Sequence, residues 1–286
     1  MTKVKNHIIL IVFMSIIGVF NSQAQQLYYS GSVQYSNGSY YFTETTSSLY
    51  VTNGLSLQQN GYSFSVSVPF VVQNSPWISY TQYGSIPTGG PQHGVVGGSG
   101  SGMGMSSGKG GRRISIPDTV SYNKSSFSDP TVSVGVPILS TTNVNMSTSL
   151  KIMGDLKIPL ADPSQGFGTG EWDGGLGTAF SQRFSSWFVM LNAMYWWFGD
   201  MPDLELKDAF SYGAGIGKSI DAGNWMVLGT FSGMTRIIAD ADPPINAGMG
   251  ITYSINPKNS LSTNATIGFN DSSADFTLGF GWQFRL

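Results

Sequence analysis

Lys151, Asp155 and Lys157 lie close together in the run "LKIMGDLKIPL", all at odd positions. Their even-numbered neighbours Leu150, Ile152, Leu156 and Ile158 are apolar. On an extended strand successive side chains point to opposite faces, so the three charges share one face. If that face borders water inside a barrel, the charges are pore-lining candidates that could form a constriction. The other reading is that they only pair with groups on neighbouring strands.

The remaining chemistry is sparse. Glu171 and Asp173 stand two apart in "GFGTGEWDGGLG". Two carboxylates can hold calcium, but no further ligand pattern accompanies them, which favours a solvated or arginine-paired loop. No Lys-Ser/Thr follows these glycines, so they mark turns and not a phosphate loop. Arg112 and Arg113 close the run "GGPQHGVVGGSGSGMGMSSGKGGRR". Its composition is that of a flexible segment. Either it folds into or over a pore, making both arginines pore-lining and able to reach Asp155, or it is a disordered surface loop. The chain has no cysteine and two histidines, His7 and His93. Disulfides, thiol nucleophiles and a His-based metal cluster are excluded, and no cofactor or metal is expected. A Ser–His hydrolase would have to use His93, inside the Gly-rich run, so the chain reads as no enzyme. A net charge of −2 gives no basis for binding nucleic acid.

Residues 1–24 read as a cleavable signal peptide. Lys3 and Lys5 precede an apolar stretch from Ile8 to Phe20, which is short for a membrane span. Ser22 and Ala24 supply small residues for cleavage before Gln25.

Within residues 25–286, apolar and polar residues alternate in a series of separate segments. Period-two segments are expected at 27–37, 47–58, 62–73, 129–141, 146–160, 174–184, 186–198, 208–220, 224–237, 245–256, 260–269 and 274–286. Tight turns such as "QNG", "DAG" and "NPK" alternate with longer connections, the longest at 74–128. The last strand carries Phe276, Leu278, Phe280, Trp282, Phe284 and Leu286 on one face, with Thr277, Gly279, Gly281, Gln283 and Arg285 on the other. Charged residues are only 10% of the chain. A soluble sandwich would carry Lys and Glu on its polar face, whereas here that face is mostly Gly, Ser, Thr and Asn. Aromatics at strand ends, among them Trp77, Trp172, Trp187, Tyr195, Trp197 and Trp225, suit a membrane–water boundary. The expected fold is all-β: a transmembrane antiparallel barrel of about twelve strands, with short periplasmic turns and longer extracellular loops. The aromatic stripe from Phe276 to Leu286 would face outer-membrane lipids and serve the barrel assembly machinery as a terminal signal.

The stretches "YSFSVSVPFV", "SDPTVSVGVPIL" and "LKIMGDLKIPLADPSQGFGTGEWDGGLGTAFSQRF" resemble the outer-membrane proteins named for the MetA pathway of phenol degradation. The resemblance spans residues 45–286. It implies a transporter-like barrel in a Gram-negative outer membrane, passing small molecules by diffusion, hydrophobic or aromatic compounds among them. The solute itself stays unknown. The alternative is a surface barrel that transports nothing and binds a partner through its loops.

Overall fold

A computed structural model of the chain describes residues 25–81, 84–89, 96, 114, 122–143, 145–201, 204–239 and 241–286. The signal segment 1–24, His93, Arg112 and Arg113 lie outside the described residues. The strands are β1 (Gln26–Gly38), β2 (Thr46–Gln59), β3 (Tyr62–Gln73), β4 (Ser79–Thr81), β5 (Gly84–Ile86), β6 (Lys124–Phe127), β7 (Thr131–Asn143) and β8 (Met146–Lys157). They continue as β9 (Asp173–Phe184), β10 (Trp187–Trp197), β11 (Ala209–Ile220), β12 (Trp225–Met234), β13 (Ile245–Asn256), β14 (Asn259–Gly268) and β15 (Phe276–Arg285).

All but β4 and β5 belong to one antiparallel sheet that closes on itself. β6 and β7 share one position beside β3, so the wall has twelve strands. The ring closes where β1 pairs with β15, with Val33 opposite Phe280. At this seam the Trp282 ring lies across Gly31; a Cβ there would sit 2.4 Å from the ring. Closure leaves no unpaired edge, which hydrocarbon would penalise by several kcal/mol per polar group.

The parity read from the sequence holds along most of the wall. Leu176, Leu191, Ile216, Met249, Leu278 and Phe280 stand exposed on the outside, an apolar surface that only lipid suits. Trp187, Trp225 and Tyr253 ring the end with short turns, and Trp172, Tyr195 and Trp197 ring the end with long loops. Lys218 is on the outer parity, opposite Trp187, with its ammonium 5.3 Å from that ring's centroid. Cation–π contact and a long stem that lets the ammonium reach the headgroup region account for it. The β2–β3 turn uses Asn60 and Gly61, both at positive φ, the geometry a two-residue hairpin needs.

Four expectations need correction. The fourth wall strand does not begin at 129. It begins as β6, breaks at Ser128–Asp129–Pro130, and resumes as β7. Pro130 has no N–H to give a ladder, and the break turns Asp129 inward, where it is buried. The strand expected to reach 160 stops at Lys157, and Pro159 follows. A bulge between Pro137 and Leu139 shifts the register of β7, leaving both Ile138 and Leu139 exposed. Finally, Trp77 is no boundary aromatic. It is buried in an apolar cluster of the loops.

A ring of this kind resists detergent until heated. Unheated samples are expected to run anomalously in SDS gels and to shift on boiling; one mobility under both conditions would contradict closure.

Candidate functional site

The long connections fold inward. Tyr40, Tyr41 and Phe42 follow β1, Trp77 and Ile78 precede β4 and Ile86 ends β5, Phe198, Met201, Leu204 and Leu206 follow β10, and Ile237, Ile238 and Ala241 follow β12. Their side chains pack on Met194, Trp196 and Met234 of the wall. This membrane barrel therefore has a hydrophobic core, but the core sits at the loop end of the lumen as a cap.

Beneath the cap lies a cavity of about 760 Å³. Its wall includes small polar side chains: Ser36, Thr131, Ser133, Asn192, Ser211, Asn246 and Thr266. Its aromatic part is Tyr40, Tyr50, Tyr80, Trp196 and Tyr212. Tyr80, on β4, stacks on Tyr50 of β2 with centroids 4.5 Å apart. The Tyr50 hydroxyl and Ser85 Oγ of β5 are 2.7 Å apart. These contacts fix the hairpin against the wall without charge. Burial, then the neighbouring Tyr50, pushes the Tyr80 hydroxyl up to about 12, and burial raises Tyr40 further. Both remain neutral hydrogen-bonding groups at any physiological pH.

Asp155 lines this cavity. Its strand neighbours are Ser133 on β7 and Gly175 on β9, and the Ser133 hydroxyl bonds to it. The next strand contributes Trp196 beside Gly175. A Cβ at Gly175 would stand 2.2 Å from the Trp196 ring, so glycine alone lets the indole lie flat over that strand. Trp196 Nε1 donates to Ser211 Oγ at 2.9 Å, which fixes the ring. Met153 and Met194 border the same region from either side of Gly177.

Lys157 has the expected lumenal parity but does not line the pore. Its head is fully buried. Nζ lies 2.6 Å from Asp173 Oδ2 and 3.6 Å from Asp129 Oδ2, and bonds to Thr169 Oγ1. Each carboxylate gives its other oxygen to backbone. Asp129 Oδ1 accepts from the N–H groups of Leu160 and Ala161 at 2.9 and 2.8 Å, and Asp173 Oδ1 accepts from Gly199 at 3.1 Å. One ammonium thus ties the strand break, the loop after β8 and the loop after β10. Ser128 Oγ donating to the Phe167 carbonyl at 2.5 Å reinforces the clip. Among the described residues no group of three or more His, Cys, Asp or Glu side chains is placed to hold a metal ion. Asp162 caps the short turn in the loop after β8, accepting from Ser164 and Gln165, which hold its carboxyl below the usual range.

Lys151 is on the lumenal parity, opposite Pro137 and Ala179 and nearer the turn end than Asp155. Arg183 of β9 and Arg285 of β15 share the lumenal parity near that end. Sequence reasoning missed Asp129, Trp196, Tyr50 and Tyr80. Asp129 and Asp173 did stand inside "SDPTVSVGVPIL" and "GEWDGGLG", but no spacing signals that both meet Lys157.

A family model described as "Putative MetA-pathway of phenol degradation" matches residues 19–286. The chain belongs to this family. Among curated proteins, none matches it. Of solved structures, an outer membrane channel from Pseudomonas putida F1 is similar over 94% of this chain and 100% of its own, with a TM-score of 0.62 and 12% identity. That likeness shows a shared barrel fold. The CymD monoaromatic hydrocarbon channel covers 92% of this chain and 88% of its own at TM-score 0.44 and 10% identity. The KdgM porin covers 90% and 99% at TM-score 0.43 and 7% identity.

Proposed function

We propose that this family member is an outer-membrane channel of a Gram-negative bacterium for passive diffusion of small molecules, and that it is not an enzyme. The carrying observation is the cavity of about 760 Å³ inside the wall, lined by small polar groups and aromatics. A barrel built only to display loops has no need of an internal chamber. Its loops would also present apolar residues outward, whereas these spend them on the cap. A cavity with both hydroxyl and ring surface suits compact solutes that are partly apolar, aromatic ones included. Reconstitution into planar bilayers is expected to give discrete conductance steps, and liposomes carrying the protein should swell in small sugars or amino acids. A barrel that conducts nothing and admits no solute would support the surface-barrel alternative.

The terminal strand is assigned to assembly. Leu278, Phe280 and Leu286 are exposed on the outer face, and Phe280 packs near Trp282 with centroids 6.1 Å apart. Phe284→Asp would put a carboxylate on that stripe, at a cost of up to a few kcal/mol depending on depth. It is expected to lower outer-membrane levels well below those of Gln283→Asp, which faces the lumen. Equal loss in both variants, measured by quantitative blotting of membrane fractions, would contradict the assignment.

A further inference from the structure

The lumenal charges are unevenly neutralised. Lys157 is balanced, and more than balanced, by Asp129 and Asp173. Asp155, two residues away on the same face, has no ionic partner among the described residues. Its contact is the Ser133 hydroxyl. Lys151 lies on the same strand four residues further toward the turn end and does not border the cavity. No Lys or Arg is among the described residues lining the cavity, while Asp155 and Asp242 both are.

The surroundings of Asp155 are specific. Across the Gly175 gap lies the flat face of Trp196, held by its bond to Ser211. Met153 and Met194 add two polarisable thioethers one step toward the turn end. An ionised carboxylate offers acceptors and no donor, and an indole face attracts the positive end of a dipole or a cation. Thioethers and the ring together give an apolar wall.

Resting on the channel reading above, we infer that Asp155, Trp196, Met153 and Met194 form a solute-binding station in the lumen. It recognises small molecules with a hydrogen-bond-donating head, ammonium or hydroxyl, on an apolar body, and it rejects carboxylates. The head donates to Asp155, and the body lies against the indole and the two methionines. An anionic head would meet the Asp155 charge with no cation among the described lining residues to offset it.

Calorimetry on the detergent-solubilised barrel, with three probes of one shape, tests this: benzylamine, benzyl alcohol and benzoate. Benzylamine is expected to bind, and benzoate to bind at least about tenfold more weakly, the weight of one charge-assisted hydrogen bond. Saturable benzyl alcohol binding would show that a hydroxyl head suffices; its absence would restrict the station to ammonium. Asp155→Asn, which keeps shape and removes charge, should weaken benzylamine by about tenfold or more and bring it level with the alcohol. Asp155→Glu should restore part of the difference. Heat-shift gels confirm that each variant is folded. Benzoate binding as tightly as benzylamine, no binding by any probe, or a folded Asp155→Asn with unchanged benzylamine affinity would each overturn the inference. Because calorimetry needs no current, a barrel that binds benzylamine but never conducts would refute the channel and leave the station standing. A conducting barrel indifferent to Asp155 would do the reverse.

Discussion

Lys157→Met is expected to destabilise the barrel by about 3–5 kcal/mol, the range for removing one partner from a buried ion pair. The substitution keeps the length and apolar stem of the side chain, so packing changes little. What changes is that Asp129 and Asp173 are left buried, facing each other without the ammonium that joined them. Their backbone donors satisfy one oxygen of each, and the other oxygen loses the ammonium that paired with it. The readout is the temperature at which the compact form converts on SDS gels, together with the midpoint of denaturant unfolding in detergent. Adding Asp129→Asn and Asp173→Asn to Lys157→Met should recover much of the loss, because no unpaired charge remains. If Lys157→Met alone unfolds like the parent, the cluster is not what fastens the loops to the strand break.

That cluster also marks where the sequence stops being readable. The wall was legible because each strand meets two solvents. Phe276, Leu278 and Phe280 alternate with Thr277, Gly279 and Gly281 since lipid selects one set and a wet lumen the other. The same alternation puts Lys151, Asp155 and Lys157 on one face of β8. It could not say which charge stays open. Lys157 meets partners far from it in sequence, and nothing in a single chain couples those positions. The break at Asp129–Pro130 was invisible for a related reason. An Asp-Pro pair reads equally as the turn before a strand or as an interruption within one. The cap was hidden more thoroughly. Phe198, Met201, Leu204 and Leu206 have neither strand nor helix period that would reveal a common destination, and Trp77 looked like one more boundary aromatic. Loop side chains that converge from four connections leave no local pattern, because their spacing is set by the barrel that gathers them.

The largest functional change should follow from removing the hairpin that forms part of that cap. Replacing residues 77–111 with a short Gly-Ser link is expected to raise single-channel conductance several-fold. The wall has twelve strands, which at ordinary spacing and tilt gives a backbone radius of roughly 12 Å, so the ring itself leaves a passage wide enough for small solutes. The narrowing comes from what lies inside it. Trp77, Ile78 and Ile86 anchor the β4–β5 hairpin in the apolar cluster, and Tyr80 covers Tyr50 on the wall. No wall strand is cut by the deletion, since β3 ends at Gln73 and β6 begins at Lys124. The ring should therefore still close and still shift on heating, although exposing Phe42 and Met201 to water will lower its stability somewhat. A milder pair, Ile78→Ser with Ile86→Ser, should loosen the same cap and give intermediate conductance with more frequent switching between levels. If both variants assemble and conduct like the parent, the hairpin does not obstruct the path. The resistance would then lie nearer the turn end, where Lys151, Arg183 and Arg285 face the lumen, and replacing those three by glutamine would be the change that alters current and ion preference instead.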